Sequence, residues 1–150
     1  NWSDFNESIY EQEISKVYKN APNKKKVSKV IGYEIDKEVY LHAKKNIGLS
    51  GFSKYIEIHN KDFINLQRIN TEPGIIVCNP PYGKKIGEVD ALTELYFKIG
   101  TSLKNNFSGW EFWLLSGNPL LTKYLRMKAS LKIPVSNGGI DCRWIQYFIR

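Results

Sequence analysis

Cysteine is scarce in this chain of 150 residues, where only Cys78 and Cys142 occur. They lack metal-ligand spacing, and Cys78 closes an apolar run, so a reducing, cytosolic setting is expected. Histidine is equally rare. His42 falls on a predicted helix and His59 at a strand end, with no cluster of acids or thiols at metal spacing, which points to packed or solvated imidazoles rather than ligands or bases. No apolar run is long enough to span a bilayer, and no charged-apolar-small leader opens the sequence. Repeats, low-complexity tracts and linkers are missing too, which leaves enough chain for one domain with a real core. Acidic residues are the minority among the charges: 22 Lys and Arg against 15 Asp and Glu give a net charge of +7. A pI near 9.3 favours a polyanionic partner, nucleic acid first. The excess gathers in Lys24-Lys25-Lys26 and in the segment from Lys123 to Lys132 that includes Arg126 and Lys128. Both stretches also read as solubilising surface.

What is present is an alternation of helical and extended patterns. "WSDFNESIYEQEISKVYKNA" places Ile9, Glu13 and Val17 beside Ile14 and Tyr18 on neighbouring helical faces, with Asp4 or Ser3 as cap and Pro22-Asn23 as stop. "KVIGYEID" is a short β-rich run ending on two acids. It leads into "KEVYLHAKKNIGLSG", where Val39, Ala43 and Ile47 have helical spacing and the Gly48 to Gly51 region ends the helix. "KYIEIHNKDF" alternates like a strand and then turns polar. "GIIVC" is almost wholly apolar and is expected to be buried on both faces. Residues 88–106 carry Leu92, Leu95, Tyr96, Ile99 and Leu103 on one helical face. "GWEFWLLSG" reads as a further core strand, and "NPLLTKYLRM" as a short helix capped by Asn118 with Pro119 in its first position. Asn137-Gly138-Gly139 then joins two extended runs as a hairpin, which makes the last strand antiparallel. The class is α/β: a mostly parallel sheet with helices on both faces and an antiparallel end.

Ligands of open α/β sheets bind beyond the carboxyl ends of the strands. The first predicted strand ends in Glu34 and Asp36, the second in Asp62 and Phe63, the third in Asn79-Pro80-Pro81-Tyr82. An acid after a strand suits two ribose hydroxyls. A second acid followed by an aromatic suits an adenine ring and its exocyclic amine. Asn79 offers an acceptor and a donor on a short side chain, and the proline after it holds it extended. Two successive prolines remove local N–H donors, and Tyr82 can lie against a flat heteroaromatic. Together these residues form a clamp for a planar amine; the competing reading is a proline-stabilised turn with a packed tyrosine.

"NPPY" after an apolar strand resembles the catalytic motif of class I S-adenosylmethionine-dependent methyltransferases that act on exocyclic or amide nitrogens. "VIGYEID", "NKDF" and "NPPYG" look like successive motifs of that fold in the expected order. Across the chain, "NWSDFNESIYEQE", "NPPYGKKIG" and "SGNPLLTKYLRMKASLKIPVSNGGIDCRWIQYFI" are similar to the bacterial THUMP-associated ribosomal RNA guanine-N2 methyltransferases, with "NGGIDCR" the most family-specific run. The resemblance implies a Rossmann-like sheet with an antiparallel final strand. It also implies S-adenosyl-L-methionine as cofactor and the N2 amine of a guanosine in large-subunit ribosomal RNA as acceptor. Glu34, with Ile35 beside it, matches the acid at the cofactor ribose. Asp62 matches the acid at the adenine amine, with Phe63 beside the ring. Asn79, Pro80, Pro81 and Tyr82 match the target-amine site, Asn79 also facing the cofactor. Asp36 is assigned to the start of the following helix.

One departure from the pattern stands out. The fold opens with a strand and a glycine-rich loop, and neither precedes Glu34. Residue 1 is therefore expected to be an interior point of a longer parent, and residues 1–150 the C-terminal portion of a catalytic domain. A THUMP module or other N-terminal segment is expected upstream, with another segment or chain filling the place of the first strand beside Val30. The same clamp also serves adenine N6 in nucleic acids and glutamine amides in proteins. A non-catalytic RNA-binding piece is the alternative from outside the enzymes.

Overall fold

The structure, a computed structural model, describes residues 3–19, 28–67, 72–83 and 88–150. The expected stop at Pro22-Asn23 and the triple lysine at 24–26 lie outside the described residues. In chain order the elements are α1 (Glu7–Lys19), β1 (Val30–Glu34), α2 (Lys37–Leu49), β2 (Ile56–Asn60), β3 (Ile75–Cys78), α3 (Glu88–Asn106), β4 (Glu111–Ser116), α4 (Pro119–Thr122), β5 (Leu131–Asn137) and β6 (Ile140–Phe148). Single 3-10 turns cover Phe63–Asn65 and Lys123–Leu125. The chain divides into two compact units, one of residues 1–32 and 36–59, the other of residues 33–35 and 60–150.

The first unit is built from local signals. Asn6, rather than Asp4 or Ser3, starts α1: its Oδ1 accepts from the Ile9 N–H at 3.1 Å, where an Asn side chain satisfies one of the orphaned amides of a first turn. Asp36 starts α2 in the same way, Oδ1 accepting from Glu38 N at 2.8 Å and Val39 N at 3.0 Å. The helix ends at Ser50, whose N–H reaches Asn46 O and Ile47 O, and Gly51 follows at φ +75°, where a side chain would strain the backbone. In β1 and β2 the Val30 N–H donates to Tyr55 O where both strands begin. Glu57 pairs with Lys29 and, at 2.8 Å, with His59 Nε2. The Lys29 ammonium above all holds the Glu57 carboxyl below the usual range. No described residue of this unit is fully buried.

The second unit contains the core. Its sheet has the order β3-β4-β6-β5, and β1 and β2 form a separate two-stranded sheet. β3 and β4 run parallel, while β6 is antiparallel to both β4 and β5. The hairpin turn at Gly138 (φ +57°) and Gly139 (φ +78°) uses the left-handed backbone that two glycines supply. On one sheet face Phe112, Leu114, Ile145 and Tyr147 pack against Tyr96, Ile99 and Leu103 of α3 and against Leu121 and Leu125. α3 comes so close to the Lys123–Leu125 turn that a Cβ on Gly100 would stand 2.2 Å from Leu125 O. Arg126 follows at φ 52°, its guanidinium 4.9 Å from the centre of the Phe97 ring.

The other face of this sheet is open along β3 and at the far edge, although Leu115 is buried between them. Ile75 and Val77 are 64% and 65% exposed, and Phe148, Leu131 and Ile133 are exposed as well. The expectation that "GIIVC" is buried on both faces is thus overturned: Ile76 and Cys78 turn to the core while Ile75 and Val77 do not. Trp113 also stays out of the core cluster, its Nε1 donating to Glu111 Oε2 at 3.2 Å on the open side. Trp110 does pack against the core. No described helix is long and apolar enough to cross a membrane.

Candidate active site at the strand ends

The first two loops of the site are joined by a residue that sequence reasoning passed over. Asn60 closes β2, and its Nδ2 donates to Glu34 O at 2.8 Å and to Ile35 O at 3.0 Å. The Lys61 N–H adds a bond to Glu34 O at 3.1 Å. Two chain exits, from β1 and from β2, are thereby held side by side. The only sequence signal for Asn60 was its place, an amide at a strand end just before a polar turn. Glu34 is half-buried here, while Ile35 is exposed. Asp62 caps the following 3-10 turn, Oδ1 accepting from Ile64 N at 3.0 Å. Phe63 is half-buried and packs against the core.

The third loop follows β3. Asn79 is exposed, Pro80 is buried and Tyr82 is half-buried. Among the described residues the Asn79 side chain has no hydrogen-bond partner, so its carbonyl oxygen and its N–H groups remain available. Burial of Pro80 next to it fixes the backbone from which that amide projects. Tyr82 lies on Gly117, where a Cβ would meet the ring at 3.1 Å and Ile140 Cγ2 at 3.2 Å. Its hydroxyl oxygen accepts from Asn137 Nδ2 at 3.5 Å, and its carbonyl accepts from Asn118 Nδ2 at 3.3 Å. Asn118 also caps α4, Oδ1 accepting from Leu120 N at 3.0 Å, as its position before Pro119 predicts. Its second bond, to the Tyr82 loop, had no local signal. Ser116 completes the corner: its hydroxyl accepts from Asn118 N and donates to Asn118 O, both at 3.2 Å.

Beneath this corner the groups are neutral. Burial pushes the Cys78 thiol up to about 11. Tyr96, with Cys78 and Tyr82 near it, is pushed up to about 12, mainly by burial, with the neighbouring Ser116 hydroxyl pulling the other way. No described group of three His, Cys, Asp or Glu side chains could hold a metal ion. A neutral Asn amide beside a supported tyrosine ring and two residues without N–H can accept from a flat amine without protonating it.

This architecture is that of a class I methyltransferase, with an α/β sheet ending in an antiparallel strand and loops clustered at the strand ends. The chain belongs to the family described as RMKL-like, methyltransferase domain, whose model matches residues 4–146. It is 33% identical over 123 residues to the ribosomal RNA large subunit methyltransferase K/L of Syntrophotalea carbinolica, covering 80% of this chain and 17% of that one. The crystal structure of a possible methylase from Clostridium difficile 630 superposes with a TM-score of 0.82 at 25% identity, over 99% of this chain and 39% of that one. SMU.472, a methyltransferase candidate crystallised with SAH, gives 0.81 at 19% identity, over 99% and 39%. The chain thus spans well under half the length of these proteins.

Proposed function

We propose that this chain forms part of an enzyme that transfers a methyl group from S-adenosyl-L-methionine to the exocyclic N2 amine of a guanosine in large-subunit ribosomal RNA. The observation that carries the reading is the Asn79–Tyr82 tip, with its amide exposed and unpartnered and its ring braced on Gly117. The name of the Syntrophotalea relative supports large-subunit ribosomal RNA as the substrate, the family supports methyl transfer, and the guanine N2 amine rests on the resemblance of the motifs.

The residues at the first two strand ends fit the cofactor. Glu34 stands half-buried at the end of β1, and Asp62 has one carboxylate oxygen bonded within its own turn, which leaves the other to face a ligand. In this reading Glu34 holds the ribose, Asp62 takes the adenine amine, and Ile35 and Phe63 bracket the base. When bound, the cofactor supplies an electrophilic methyl on a sulfonium. Asn79 Oδ1 accepts one amine N–H, so that the nitrogen lone pair is turned away from the amide and toward the methyl. Tyr82 holds the plane of the base. The methylated amine would be cationic and would shed a proton to solvent, so no strong base is required of the site. In the parent protein an N-terminal segment, a THUMP module by resemblance, would deliver the RNA.

The test is a methyl-transfer assay on the full-length protein with labelled cofactor and three acceptors: ribosomal RNA, DNA and a glutamine-bearing release factor. Label in RNA, located on guanine N2, is expected. Asn79→Ala should lower transfer by about 10²-fold or more, the scale of losing a positioned polar group at a reacting atom, while SAH affinity stays within about twofold. Label in DNA or protein alone, or full activity in Asn79→Ala, would sink the reading.

A further inference from the structure

The segment from Lys123 to Lys132 was one of two basic stretches in the sequence, and folding separates its members. Arg126 is drawn onto the Phe97 ring, whereas Lys123 and Lys132 line a cleft of about 830 Å³ together with Arg143, far away in sequence. The three cations come from three elements: the 3-10 turn after α4, β5 and β6. Strand register explains the convergence. Ser116 of β4, Arg143 of β6 and Pro134 of β5 are direct neighbours in one row across the sheet, and Leu114, Ile145 and Lys132 form the next. The sheet face that is core at Leu114 and Ile145 therefore continues past α4 as the floor of an open cleft.

Charge in this cleft is unbalanced. Lys123, Lys132 and Arg143 face a single lining carboxylate, Asp141, and none of the three takes part in an ion pair among the described residues. Cations of one sign between low-dielectric walls focus a positive potential and draw in an anion. Position adds a second constraint. Gly117 lines the cleft and is also the residue on which the Tyr82 ring rests. Through Gly117 the cleft adjoins the loop that carries Asn79.

We infer that this cleft is a track for the RNA backbone, in which Lys123, Lys132 and Arg143 contact phosphates of the nucleotides next to the target base. The inference rests on the reading of an RNA acceptor and assigns it a binding surface. A polymer fits better than a small anion because the cations are exposed and drawn from separate walls rather than closed around one point. Phosphate contacts of this kind set register and carry no sequence information. Base choice would stay with the Asn79–Tyr82 tip.

The experiment uses the full-length protein and a fluorescein-labelled stem-loop of large-subunit ribosomal RNA, with affinity measured across a salt series. In the variant K123A/K132A/R143A the log–log salt slope should fall by roughly 2 to 3, and affinity at low salt by at least about tenfold, as expected for three lost phosphate contacts. The charge-preserving variant K123R/K132R/R143K should restore both. SAH affinity should be unchanged in either, because the exposed cations lie outside the residues assigned to the cofactor. An unchanged slope with tight RNA binding and normal RNA methylation would overturn the cleft alone. Failure of the wild-type protein to bind or methylate RNA would overturn the acceptor and the cleft together.

Discussion

The two units of this chain differ in what holds them together. Residues 1–32 and 36–59 form well-capped elements, yet Phe5, Ile9, Tyr10, Val17, Val30, Val39 and Leu41 are all at least half exposed, and no described residue there is fully buried. In the second unit Tyr96, Leu103, Phe112, Leu114, Leu121 and Leu125 are sealed from water. Caps and helical spacing are enough to define an element, since an Asp36 or Asn6 side chain satisfies orphaned amides wherever the helix lies. Stability comes from burial, and burial is concentrated almost wholly in the second unit.

The contrast can be tested at three scales. The largest effect is expected from Leu103→Ala, which empties a fully buried site in α3 and should cost about 3 kcal/mol in urea unfolding; a cost below about 1 kcal/mol would mean that the core is loosely packed. A middle effect is expected from alkali. Burial raises Tyr96 and Tyr147 from an ordinary value near 10 to about 12. The folded state therefore keeps protons that the unfolded chain releases, so their contribution is complete below about 10 and is lost as pH rises toward 12. The urea midpoint should fall over that window, and less steeply in Tyr96→Phe. An equal fall in that variant would assign the loss to other groups. The smallest effect belongs to Val39→Ala in α2. This side chain is 50% exposed, and its removal should shift stability by no more than about 0.5 kcal/mol. A loss as large as that of Leu103→Ala would erase the distinction between the units.

Much of the candidate site was legible because its signals are local. Asp36 reads as a helix start from its neighbours alone, and so do the Asn118-Pro119 cap and the glycine pair that turns the hairpin. The order of Glu34, Asp62 and Asn79 at successive strand ends follows from where apolar runs stop. What could not be read depends on strand order and on what covers each face. "GIIVC" has the composition of a strand buried on both sides, but composition does not record that one side of β3 is bare. Trp113, inside the apolar run "GWEFWLLSG", stays out of the core cluster for the same reason. Asn60 and the second bond of Asn118 depend on loops that approach only after the sheets form, so their immediate sequence does not name their partners.

The bracing of Tyr82 has a consequence for the order in which the site comes into being on a ribosome. Its supports are Gly117, Asn118 and Asn137, the last of them 55 positions later in the chain. At roughly 5–20 residues per second, synthesis reaches Asn137 some 3 to 11 seconds after Tyr82 has been added. During that interval the Asn-Pro-Pro-Tyr turn exists without the floor that holds its ring, and it can take its working form only when the final hairpin folds back. The Asn79–Tyr82 tip is therefore finished only after the β5–β6 hairpin has been made. A nascent chain could form the Glu34 and Asp62 loops before it could brace the Tyr82 ring.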